Sequence, residues 1–126
     1  MLSETDILEQ YSAQGFVLGG ELYLSLPQAF NLIADCYQNN LAVIGIEGFI
    51  CEKGMLEPQL DAIADFSSNN SDNWDSYRDI CYQSSRDFLH QVHSLKGLVF
   101  SFVILSKKEW ISSDRESDFV EYQSIG

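Results

Sequence analysis

The sequence predicts one α+β domain: a three- or four-stranded, mainly antiparallel or mixed sheet with two or three helices packed on it. Three observations carry this expectation. The runs LAVIGIEGFIC at 41–51 and LVFSFVILS at 98–106 are rich in β-branched and aromatic residues and apolar on both faces, the pattern of covered strands. The stretches 25–40 and 73–93 instead repeat apolar residues at the spacing of amphipathic helices. A chain of 126 residues with 45% apolar content supports one core and leaves little room for a second.

The elements follow in order. Residues 4–13 form a short helix with Ile7, Leu8 and Tyr11 on one face, and Gly15, Gly19 and Gly20 break the chain after it. Leu22, Tyr23 and Leu24 suit a short extended piece. Ser25 and Gln28 have the spacing of a capping box, and Pro27 falls in the first turn, where its missing N–H is harmless. Phe30, Ile33, Ala34 and Tyr37 then make the expected core stripe, and Asn39-Asn40 ends the helix. The strand at 41–51 is central, with Gly45 and Gly48 marking a close backbone approach or a bulge.

Lys53-Gly54 supplies turn chemistry for a hairpin into 55–66. There Leu56, Leu60, Ala62, Ala64 and Phe66 alternate with Glu57, Gln59, Asp61 and Asp65, with Ile63 the exception. A helix starting at Pro58 would also group Leu60, Ile63 and Ala64, so both strand and helix stand for this segment. A polar loop at 67–73 offers Ser71 and Asp72 as N-caps for the long helix, whose stripe is Tyr77, Ile80, Cys81, Ser84, Phe88 and Val92. After a turn at 94–97, the strand at 98–106 reads as a second central one, closed by Lys107-Lys108. The domain spans 1–111, and 112–126 is expected to be a polar tail or an edge strand.

Seven basic residues stand against nineteen acidic ones, for a formal net charge of -12. Glu4, Asp6, Glu9, Glu21 and Asp35 meet no Lys or Arg within the first 40 residues. A field of this sign repels nucleic acid and anionic membrane surfaces and attracts basic protein partners. Solubility alone accounts for the same imbalance. No apolar run approaches the roughly 20 residues of a membrane span. The N-terminus MLSETDILEQ lacks the basic-then-apolar order of a leader. Cys36, Cys51 and Cys81 sit within apolar patterns, as reduced thiols of a cytoplasmic protein do.

Signals of catalysis are thin. His90 and His93 lie three apart without a second ligand pair, so no metal or other cofactor is expected. No Ser or Cys occupies a strand-to-helix elbow, and the glycine groups lack the Lys and the spacing of a phosphate loop. Binding is better supported than catalysis. As a strand, 55–66 would project Glu57, Asp61 and Asp65 from one face, with Glu47 on the neighbouring strand and Asp72 and Asp75 flanking Trp74. These residues make a candidate partner-binding patch: acids that steer a basic protein around an aromatic anchor, Trp74 or Trp110. The plainer alternative has Trp74 packed inward and the acids as a solvated face.

The order of EQYSAQG, AFNLIADCYQNNLAVIGIEGFICEKGMLEP, YRDICYQSSRDFLHQV and FSFVILS, from about residue 9 to 105, resembles the small immunity proteins that accompany bacterial polymorphic toxins. The family it resembles is the one called immunity protein forty, with Phe66 standing where that family often carries Trp. The resemblance implies an inhibitor that binds and blocks a cognate toxin, and it carries over no catalytic residues. The acidic balance would suit a basic toxin such as a nuclease. A non-toxin interaction module and a small enzyme or ligand-binding domain are the alternatives.

Overall fold

The structure is a computed structural model that describes residues 1–113. Its elements are α1 (Glu4–Ser12), β1 (Phe16–Leu18), β2 (Glu21–Tyr23), α2 (Leu26–Gln38), β3 (Leu41–Glu52), β4 (Met55–Asp65), α3 (Trp74–Val92) and β5 (Leu98–Ser106). A last helix, α4, occupies 107–113. The class is α+β: a three-stranded antiparallel sheet in the order β4-β3-β5, and a separate hairpin of β1 and β2. Leu24 joins the two, exchanging backbone hydrogen bonds of 2.9 and 2.8 Å with Phe100 of β5.

Local chemistry explains most boundaries. Ser3 caps α1 through a full capping box with Asp6. α2 starts after Ser25 with Pro27 in its first turn, yet the Ser25 hydroxyl makes no capping hydrogen bond. Its buried stripe is Ala29, Leu32, Ile33 and Cys36, not the expected Phe30, Ile33, Ala34 and Tyr37. The helix has several neighbours, and this explains the rotation. Its buried stripe joins the main core, while Phe30 packs on His90 and Tyr37 stacks on Tyr82, both of α3. Asn40 turns the chain at φ 61°, and its Oδ1 accepts from Trp74 Nε1 at 2.8 Å and from the Arg78 guanidinium.

Residues 55–65 are a strand, which settles the open alternative, and the Lys53-Gly54 turn joins it to β3 with both residues at positive φ. The pairing of β3 with β4 is interrupted. Glu47 faces Ile63 and Phe49 faces Pro58, so five steps along β4 oppose two along β3 and three residues are extra. Leu60, 86% exposed, stands out in this bulge instead of joining the core. β5 is an edge strand, not a second central one, because nothing beyond the single Leu24 bridge pairs with its other side among the described residues.

Asn73, not Ser71 or Asp72, caps α3, its side chain accepting from Ser76 N at 2.9 Å. The buried stripe of α3 keeps Tyr77, Cys81, Phe88 and Val92 and adds Trp74, Ser85 and Leu89, while Ile80 is exposed and Ser84 only half-buried. Ser85 is the small residue that lets α3 approach β3, its Oγ 3.5 Å from the Val43 carbonyl. α4 was not expected. Ser106 and Glu109 form its capping box, with bonds of 3.0 and 3.1 Å, so the anticipated domain limit at 111 falls inside a helix. Of the anticipated tail or edge strand at 112–126, residues 112–113 are helical and 114–126 lie outside the described residues.

The main core lies between α1, α2, α3 and one face of the sheet, through Val43, Ile46, Ala62, Phe100 and Ile104. A smaller cluster at one end joins Ala42, Trp74, Tyr77 and Cys81, with Trp110 of α4 against it. Among the described residues no helix is long and apolar enough to cross a membrane.

Candidate functional site: an acid-lined groove over the open sheet face

Residues directly opposite one another on neighbouring strands point to the same side of a sheet. Gly45 of β3 lies opposite Asp65 of β4 and Val103 of β5, and Glu47 lies opposite Ile63 and Ser101. These two rows occupy the face turned away from Val43 and Ile46, which are buried under the helices. Glu47, Ile63 and Asp65 are exposed, and Val103, an apolar side chain of the edge strand β5, is 55% exposed.

This face floors an open groove of ≈ 1010 Å³. One wall is α1, through Glu4, Leu8 and Glu9, and another is the β1–β2 hairpin, through Val17 and Glu21. At one end Phe16 stacks on Tyr23 at 5.3 Å, and Tyr23 meets Phe49 edge-on at 5.4 Å. Five carboxylates line the groove (Glu4, Glu9, Glu21, Glu47 and Asp65), and none of the described lining residues is Lys, Arg or His. Their negative field falls on apolar surface of low polarisability, which screens it less than water would.

Two of these carboxylates are tuned in opposite directions. The Ser67 hydroxyl and backbone N–H donate to Asp65 Oδ1 at 2.6 and 2.9 Å and hold its carboxyl below the usual range. Partial burial, reinforced by the nearby Glu109, raises Glu4. The thiols of Cys36 and Cys81 are pushed up to about 12 and about 11, chiefly by burial, so they stay protonated and inert at neutral pH. Cys51 is exposed. Among the described residues no three His, Cys, Asp or Glu side chains converge as a metal site.

The structure brings together only part of the patch expected from sequence. Glu47 and Asp65 meet on the groove floor. Glu57 does not join them, because it lies opposite Ile50, whose row belongs to the helix-covered side. Three extra residues are an odd number, and an odd insertion inverts which side of the strand faces out. Asp61 sits inside the bulge and borders a shallow depression with Ser84, Asp87 and Gln91 of α3. Asp72 and Asp75 are exposed at the start of α3, outside the groove lining.

Trp74 is 3% exposed and hydrogen-bonded to Asn40, so it is a core residue and no anchor for a partner. Trp110 is half-buried, with its ring 5.8 Å from Trp74 and 5.5 Å from Tyr77. Sequence reasoning missed Glu4, Glu9 and Glu21. The acid-only first 40 residues were the signal for them, but nothing local says that α1 and the hairpin fold beside β3. No protein-family model, curated protein or solved structure matches the chain.

Proposed function

We propose that this domain is an immunity-type inhibitor that binds a basic protein, its cognate toxin, in the acid-lined groove. The observation that carries this reading is the conjunction of five carboxylates and, among the described residues, no cationic side chain in and around an open, partly apolar sheet face. The carboxylates speed encounter with a basic surface and reject acidic ones, and the apolar floor adds the desolvated contact that charge at a rim does not provide. The resemblance in element order to immunity proteins supports a toxin as that partner, and a nuclease, which must hold nucleic acid, is a basic class of toxin. Inhibition then needs no chemistry from this chain, only occlusion of the partner's basic surface.

The test is co-expression with the product of the neighbouring open reading frame, capture at low and high salt, and a growth assay. The expected result is a stoichiometric complex that weakens as salt rises, with rescue of growth. Changing Glu47 and Asp65 together to Lys should abolish rescue and lower unfolding stability by no more than about 2 kcal/mol, since both side chains are exposed and only the two hydrogen bonds from Ser67 are lost. Rescue that survives this double change would remove the groove from the inhibitory surface. A groove-dependent complex with a harmless partner would instead favour a non-toxin interaction module.

A further inference from the structure

We infer that the groove floor holds, at Gly45, a built seat for a single lysine or arginine side chain of the partner protein; this deepens the binding role proposed above and rests on it. The two glycines of β3 do different work. A Cβ added to Gly48 would lie 2.8 Å from Ala62 Cβ and 3.4 Å from Phe100, so the fold itself requires glycine there. A Cβ added to Gly45 would meet nothing closer than 3.5 Å, and Gly45 has no positive φ. Sterics therefore leave room for a side chain at Gly45, which follows the β3–β5 register shift between Val43 and Gly45 in a central strand, where glycine is disfavoured. The missing side chain leaves a depression on the open face, where another chain can come close.

The surroundings of the depression select its occupant. Val103 forms one side, its Cγ2 3.6 Å from where a Gly45 Cβ would stand, and on the other side lie the Ala64 carbonyl and Asp65, the residue paired with Gly45 on β4. Glu47 stands two residues along β3 on the same face, about 7 Å on. A lysine or arginine matches this pattern, its hydrocarbon stem against Val103 and its charged head toward Asp65 and Glu47. Asp65 is held ionised by Ser67 and is ready for a cation. A second copy of the chain, at net charge -12, carries the wrong sign for this seat. Residues 114–126 do too, with Asp114, Glu116, Asp118 and Glu121 against Arg115.

The 126-residue chain can be titrated with a short peptide alternating Lys and Val, and with its Glu–Val counterpart, while backbone amide resonances are followed by NMR. The Lys–Val peptide should move Gly45, Glu47 and Val103, and the Glu–Val peptide should not. Gly45→Val fills the depression and should weaken the Lys–Val peptide about ten-fold or more, with the melting temperature unchanged or raised. Gly45→Ala, the smaller change, should fall between the two. Shifts confined to other surfaces, or Gly45→Val binding like the wild type, would overturn the seat. If Gly45→Val binds normally while the Glu47 and Asp65 reversal abolishes rescue, the acidic groove stands and the seat alone is lost. A seat that behaves as expected with no partner from the neighbouring reading frame would remove the toxin and keep the cation site.

Discussion

Asn40 shows how much one side chain can settle. It takes a left-handed φ of 61°, which ends α2, and its single carbonyl oxygen accepts from both Trp74 and Arg78 across more than thirty residues of sequence. The sequence announced the first role, because Asn at a helix end tolerates this conformation. The second depends on where α3 begins in space and had no local sign. Asn40→Ala should destabilise the domain by about 2–4 kcal/mol, combining backbone strain with donors left unpaired, and a urea titration would measure it. Gly45 and Gly48 give the same lesson in reverse. They look alike in the sequence, three residues apart in one strand, and only the contacts of an added methyl group separate the one that close packing requires from the one it does not.

At the scale of elements, periodicity located the main helices and strands and misjudged their phase. α2 turned its stripe because it packs against several neighbours, and α3 left Ile80 in solvent to bring Ser85 against β3. β4 alternated correctly on paper, and the three extra residues opposite Gly48 then separated Glu57 from Asp65. Register is a property of a strand pair, so a single strand's pattern cannot reveal it. The helix over 107–113 was legible in the Ser106–Glu109 spacing but hidden behind a charged run. Its first turn brings Glu109 near Glu4, at the start of α1.

Glu4 is raised in the folded state, chiefly by burial and then by Glu109, so its contribution to stability is present below its usual value of 4.5 and lost as pH rises through the raised one. Glu4→Gln should therefore raise the melting temperature at pH 7, and the gain should vanish as pH falls below about 4.5, where both side chains are neutral. Thermal melts of the two proteins across that range would show it. A constant difference at every pH would mean that packing, and not charge, separates them.

For the whole molecule, composition gave the sign of the surface and said nothing of its shape. Three of the five acids that line the groove come from the first 40 residues, and they reach β3 because α1 packs on α2 and β5 and Leu24 ties the hairpin to β5. A net charge of -12 opposes compaction as it promotes attraction to a basic partner. Added salt should therefore act with opposite signs: up to about 0.2 M it should raise the melting temperature of the isolated domain and weaken its complex. Calorimetry on the free protein and binding measured over the same salt series would compare the two. Parallel trends would mean that charge does not govern association.

β3 continues past the groove, and its alternation carries Cys51 onto the same face as Glu47 and Phe49. It is exposed, and the two other thiols are buried. A thiol-reactive fluorophore would therefore attach at one chosen point without any mutation, about 13 Å along the strand from Glu47. The protein supplies its own position for an optical reporter, at the mouth of the surface whose occupancy is in question.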